Sequence, residues 1–288
     1  DLPWLQGPMT PRIYGPYDAI HRDYLLEELH GESAPHGVSG TVYIQCGWPP
    51  DDAAGETRWI QSLADESDTP MGIIAWADLA DANVGALLNA HSESANFRGI
   101  RQMLNFHANA QYCAAGVTAT TMLDKAWRRG FAELAERGLT FELMIFPHQM
   151  ADAAKLAREH PHATIVLEHG GLPADESPDG RAEWHKGMAL MAAEPNVVAK
   201  ISGLGMFNHR CSAESVTPIL SEVVNWFGAE RAMFGSNFPV DKLWSTYSGM
   251  IAAYESAMGD LSNPERRALM HDTAWRIYGF DKLETKNG

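Results

Sequence analysis

Four histidines stand where short apolar runs of the chain end: His107, His148, His169 and His209. An imidazole titrates near neutral pH and also ligates metals, so at such a place it can move a proton or hold an ion. Four more, His36, His91, His160 and His162, fall at the opposite ends of the runs, so position rather than number singles residues out. His169 abuts the run Ala163–Glu168 and precedes Gly170 and Gly171, which let the backbone turn sharply and a ligand come close. It leads the candidates for a site. His148 follows, with capping of the next helix as its structural alternative. For His107 and His209 a solvated loop position is the preferred reading. Arg98 and Arg101 differ by three, which in a regular strand puts them on opposite faces. Arg101, nearer the end of its run, is expected either to clamp a substrate carboxylate bidentately or to make a structural ion pair. Lys200 lies inside an apolar run and needs a reason to be there; Glu168 or Asp241 would be a partner.

These residues must be carried by regular elements. Seven short runs read as buried strands: 40–45, 71–76, 97–104, 140–146, 163–168, 196–201 and 231–235. Amphipathic stretches between them predict helices near 55–65, 83–92, 121–137, 149–160, 181–194 and 212–228, with two more running to Tyr278. Strand and helix alternate, which is the pattern of serial βα units on a parallel sheet. In such folds chemistry sits where strands end and helices begin. Gln45 and Trp48 lie at the first such exit, and the last strand leads into Ser236-Asn237-Phe238-Pro239-Val240-Asp241-Lys242. No Pro/Gly/Ser-rich linker divides the chain, so residues 1–288 are expected to form one domain.

Composition narrows the function. The hydrophobic fraction of 45% and charged fraction of 20% are those of a globular protein. A net charge of −15 argues against nucleic acid or an anionic membrane surface as partner. It leaves room for a small acidic substrate, which one or two arginines can hold. No run approaches the roughly 18 apolar residues of a membrane span. Asp1-Leu2-Pro3-Trp4 lacks the pattern of a secretory leader. Cys46, Cys113 and Cys211 are scattered and odd in number, which suggests a reducing compartment. A cytoplasmic location is expected, and self-association into a homo-oligomer is left open.

Phe234-Gly235-Ser236-Asn237-Phe238-Pro239-Val240-Asp241, with Phe97-Arg98-Gly99-Ile100-Arg101-Gln102, Val166-Leu167-Glu168-His169-Gly170-Gly171 and Val198-Ala199-Lys200-Ile201-Ser202-Gly203-Leu204, resembles the amidohydrolase superfamily. The match is to its amidohydrolase-2, lactonase-like branch, which holds sugar-acid lactonases, muconolactone-type hydrolases and pyrone-dicarboxylate hydrolase. It runs from Pro3-Trp4-Leu5 to Ala274–Tyr278. The resemblance implies a (β/α)8 TIM barrel. The family carries a His-x-His pair on its first strand, just upstream of a segment like Pro3-Trp4-Leu5. This chain has no such pair, so strand one is expected upstream of Asp1. The family's last-strand Asp, which binds metal or activates water, is Asn237 here. An amide is no general base near neutral pH and a poorer zinc ligand than a carboxylate. Asp241 would supply the missing carboxylate, with helix capping as its structural alternative.

The activity this implies is opening of a lactone, or a related cyclic ester, of a small carboxylate-bearing substrate by water. Arg101 would hold the carboxylate. His169 and His148 would polarise the carbonyl, with His169 also a metal ligand. Asp241 would be the base and Asn237 would orient water. Gln45, Lys200, His107 and Trp48 would contact substrate, with Trp76 joining Trp48 in an apolar wall, although core or rim packing is the preferred reading for both tryptophans. The resemblance implies one divalent metal, Zn or Mn, and Asn237 leaves a metal-free route open. Two rival activities follow from the same residues: a metal-dependent nonoxidative decarboxylase, and a catalytically silent barrel that binds a small acid.

Overall fold

Seven strands make one parallel sheet in a computed structural model of the chain, which describes residues 2–283. They are β1 (Thr41–Ile44), β2 (Met71–Ala75), β3 (Phe97–Arg101), β4 (Thr140–Leu143), β5 (Thr164–Leu167), β6 (Val197–Ile201) and β7 (Ala232–Phe234), paired in chain order. Before them lie two short helices, α1 (Pro3–Gln6) and α2 (Leu26–Ser33). Between strands run α3 (Ala53–Glu66), α4 (Val84–Ser92), α5 (Lys125–Glu136), α6 (Met150–Glu159), α7 (Pro178–Ala192) and α8 (Ala213–Phe227). After β7 come α9 (Tyr247–Ala257), α10 (Asn263–Arg267) and α11 (Thr273–Ile277). Every expected strand is present, several of them shorter at the exit end. The expected His-x-His pair and the strand ahead of Asp1 lie outside the described residues.

The sheet is curled into a TIM-barrel-like wall. Neighbouring strands stand about 4.8 Å apart, so a flat sheet of this size would hold its edge strands about 29 Å from each other. Instead Val42 and Ile44 of β1 share one apolar cluster with Val166 of β5, Val198 of β6 and Met233 of β7. Strand alternation divides the side chains. Phe141, Leu143, Ile165, Leu167, Val197, Ala199 and Ile201 face the helices, in the large core with Trp127, Phe131 and Trp184. Thr140 and Glu142, Val166 and Glu168, and Val198 and Lys200 take the alternate phase and face inward. The inner face is filled from the C-terminal side: Tyr278, Phe280 and Leu283 belong to the inner cluster.

β3 departs from regular alternation. Ile73 pairs with Phe97 but Ile74 pairs with Gly99, so Arg98 is an extra residue in the ladder. Such a bulge shifts the phase of everything after it. A Cβ on Gly72 would touch Arg98 Cγ and Val42 Cγ2 at 3.7 Å each, and Val42 packs on the inner cluster. Arg101 meets the inward Glu168. The expectation that the two arginines point to opposite faces is therefore corrected: the bulge brings both to the inner face.

Candidate active site

The exits of β5, β6 and β7 bring four polar side chains together. His169 follows β5, with φ at 53° and an exposure of 6%. Its Nδ1 lies 2.9 Å from Ser202 Oγ at the exit of β6. Asn237, also left-handed with φ 53°, follows β7, and its Nδ2 donates to Asp241 Oδ1 at 2.7 Å. Gly203 joins the two halves. A Cβ there would sit 2.7 Å from His169 Nδ1 and 3.0 Å from Asn237 Nδ2. Its φ of 58° also favours glycine. Residues far apart in the chain thus flank one point.

Asp241 is 2% exposed. Burial pushes its carboxyl up to about 7, against the smaller downward pull of the Asn237 amide. The carboxylate caps no helix. The N-cap of α9 is Thr246, whose side chain accepts from Gly249 N. The capping alternative for Asp241 is corrected on that ground. Burial lowers His169 to about 4, so its imidazole is neutral at neutral pH.

Beneath this group lies a buried charge network. Lys200 Nζ lies 2.5 Å from Glu142 Oε2 and 3.1 Å from Glu168 Oε1. Arg101 Nη1 lies 3.5 Å from the same Glu168 oxygen, and its Nη2 donates to Gln45 O. The Tyr278 hydroxyl donates to Glu142 Oε1. Burial works against ionising Glu168, but Lys200 and then Arg101 outweigh it and bring the carboxyl down to about 2. Burial dominates at Glu142 and raises it despite Lys200. Of the two partners considered for Lys200, Glu168 is found and Asp241 is not. Glu142 and Tyr278 were missed by sequence reasoning. Glu142 has a signal, being a carboxylate inside the apolar run Thr140–Phe146. Tyr278 has none, because its bond spans 136 residues.

An apolar roof covers the strand exits. Met144, Phe146, Leu172 and Met206 form a buried cluster with Ile13, Tyr14, Tyr112 and Trp244. The N-terminal segment crosses there, tied by Trp4 Nε1 to Cys46 O at 2.6 Å, by Gln111 Nε2 to Arg12 O at 2.9 Å and by His209 Nε2 to Tyr14 O at 3.1 Å.

Among the described residues none of the remaining candidates bonds to the side chains of the Gly203 group. His148 is exposed and stacks on Phe146 at 6.1 Å, and the N-cap of α6 is Gln149. His107 packs at 4.9 Å on the same ring. Both edge the roof. Trp48 stacks on Trp59 of the outer helix α3 at 5.7 Å. Trp76 lends its carbonyl to His91. Gln45 is 1% exposed, and its Nε2 has no partner among the described residues.

A catalytic zinc takes three protein ligands of nitrogen, sulfur or oxygen type. Among the described residues no group of three His, Cys, Asp or Glu could hold an ion. His169 contributes one imidazole, Asn237 stands where a carboxylate would, and the Asp241 carboxylate is engaged by Asn237. Among the described residues this donor set falls short of the three ligands of a zinc centre, and the His-x-His pair that the resemblance implies lies outside them.

A curled parallel sheet with polar groups gathered at its strand exits is the layout of a barrel hydrolase. The chain belongs to the Amidohydrolase family, whose model matches residues 14–280. It is 40% identical over 276 residues to protein y4mH of Sinorhizobium fredii, with 96% of this chain and 92% of that protein covered. It is 28% identical over 271 residues to an L-fucono-1,5-lactonase of Burkholderia ambifaria, covering 92% and 88%. Among solved structures, an amidohydrolase of Burkholderia multivorans with bound zinc superposes with a TM-score of 0.78 at 26% identity, covering 91% of this chain and 90% of that one. Among the described residues no helix is long and apolar enough to cross a membrane. The three cysteines are free.

Proposed function

We propose that this chain opens a lactone of a small carboxylate-bearing substrate by attack of water. One observation carries the reading: the buried Asp241 carboxylate accepts from the Asn237 amide, which with His169 flanks Gly203 at the strand exits, and burial pushes that carboxyl up to about 7. A base works best when its pKa lies near the working pH. The lactonase likeness of the Burkholderia ambifaria relative supports the same bond type.

In this reading Asp241 takes a proton from water as the water oxygen bonds to the lactone carbonyl carbon. Asn237 holds the carboxylate in place through its amide. In the tautomer in which Ser202 Oγ–H donates to Nδ1, His169 carries its ring N–H on Nε2, from which it would donate a hydrogen bond to a developing oxyanion. Collapse breaks the ring C–O bond, and the proton on Asp241 passes to the leaving ring oxygen. Arg101 Nε–H has no partner among the described residues and is a donor left for a substrate carboxylate, with Glu168 already at Nη1 and Gln45 O at Nη2. The bound zinc of the Burkholderia multivorans structure belongs to that protein.

A panel of L-fucono-1,5-lactone, other sugar-acid lactones and muconolactone tests the reading. Ring opening should raise free acid with one equivalent per lactone and release no carbon dioxide. Carbon dioxide release would move the assignment to decarboxylation, and tight binding without product to a silent barrel. Arg101→Met should raise KM for acidic lactones and leave neutral ones unchanged.

A further inference from the structure

We propose that Lys242 is a positioning residue for the Asp241 carboxylate, acting through an ion-pair clamp that ties the turn after β7 to helix α2. The inference rests on the reading of Asp241 as the base. Asp241 and Lys242 are neighbours in one 3-10 turn, Val240–Leu243, and they face opposite ways. Asp241 is turned into the protein. Lys242 reaches out, its Nζ 2.7 Å from Glu28 Oε1 and 2.6 Å from Glu32 Oε1. Those two glutamates are four apart on α2, so one ammonium bridges successive turns of the helix.

The clamp is itself braced. The Tyr24 ring lies 5.0 Å from Nζ, and the Tyr24 hydroxyl donates to Glu32 Oε2 at 2.6 Å. Arg22 Nη2 closes on Glu28 Oε1 at 2.6 Å. A lone exposed ion pair contributes little. Here several groups hold one side chain, and that side chain adjoins a carboxylate with a reason to move. An ionised carboxylate in a dry site gains by reaching water. The route out is rotation of the turn, and the clamp opposes it.

The groups facing Asp241 are Asn237 on its own loop, Cys211 before α8 and Tyr254 on α9. Cys211 is pushed up to about 11 by burial, and Tyr254 is also raised by burial. Both stay neutral at pH 8, so Asp241 alone titrates there.

The test uses Lys242→Met, Lys242→Arg, and the double variant Glu28→Gln/Glu32→Gln, which loosens the clamp from the helix side. Asp241→Asn serves as control. On the fastest lactone of the panel above, Lys242→Met and the double variant should lower kcat about tenfold or more, with KM within about twofold. Their pH–rate rise should move to lower pH as water reaches the carboxylate. Lys242→Arg should restore most of the rate. Hydrogen exchange over residues 236–246 should quicken in Lys242→Met. Wild-type kcat and pH–rate rise in the two loosened variants would overturn the inference, as would failure of Lys242→Arg to restore the rate. An Asp241→Asn protein with full activity would instead overturn the base reading beneath it.

Discussion

Asn237 Nδ2 and Asp241 Oδ1 lie 2.7 Å apart across one turn of backbone, and the same two residues are joined by Asp241 N donating to Asn237 O at 3.1 Å. The amide stabilises the ionised carboxylate, and burial opposes it more strongly. Hydrolysis should therefore rise with pH through about 7 and level off above it. Asn237→Ala removes the downward pull, so the rise should shift to higher pH. A pH–rate profile of kcat in both proteins checks this, and an unshifted profile in Asn237→Ala would contradict it.

The same group bears on stability. Asp241 binds its proton more tightly folded than unfolded, so its contribution is fully present below the unfolded value of about 4 and is lost as pH rises through about 7. Asp241→Asn removes a buried charge at pH 8. It should raise stability there by about 1–3 kcal/mol while abolishing most hydrolysis. Urea unfolding at pH 5 and pH 8 measures it; the gain should be clearly larger at pH 8 than at pH 5.

Lys200 is the cation shared by Glu142 and Glu168. Lys200→Met leaves two buried carboxyls without it and should destabilise by about 3–5 kcal/mol. Adding Glu142→Gln removes one of the stranded acids and should recover part of the loss. Thermal unfolding of the single and double variants checks the order, and a double variant less stable than the single would refute the pairing.

Gly203 has room for no side chain between His169 and Asn237. Gly203→Ala should cost about 1–2 kcal/mol from its positive φ. It should also lower kcat about a hundredfold by displacing the two polar groups. Circular dichroism should show an unchanged fold. A folded Gly203→Ala protein with wild-type kcat would separate the glycine from the site.

The proposed water attack through Asp241 uses no metal, so if that route operates chelation by EDTA should leave lactone hydrolysis within about twofold. Elemental analysis before and after chelation, paired with rates, provides the comparison.

The strands were legible because each is a short, mostly apolar run with helices on one side and a filled interior on the other, broken only by inward charges such as Glu142 and Lys200 and by the arginines of β3. The convergence of His169 and Asn237 followed from that: both stand at strand exits, and parallel strands put all exits at one end. What escaped was set by non-local geometry. The Arg98 bulge is a register difference between β2 and β3, and nothing local to Phe97–Arg101 announces it. Trp48 could be a ligand wall or packing, and the stacking of Trp59 from α3 against it, which favours packing, is not legible locally. Nothing local to Lys242 announces its partners, because both acids come from α2, more than two hundred residues earlier.

Tyr278 enters the inner face and meets Glu142, which was synthesised 136 residues before it. During translation the wall of strands can assemble, but its charged floor waits for a phenol that leaves the ribosome late. Contacts of such sequence separation slow folding. A nascent chain stalled short of this tyrosine would expose a concave, partly apolar surface with an acid lacking one of its partners, a natural target for chaperones and quality-control proteases.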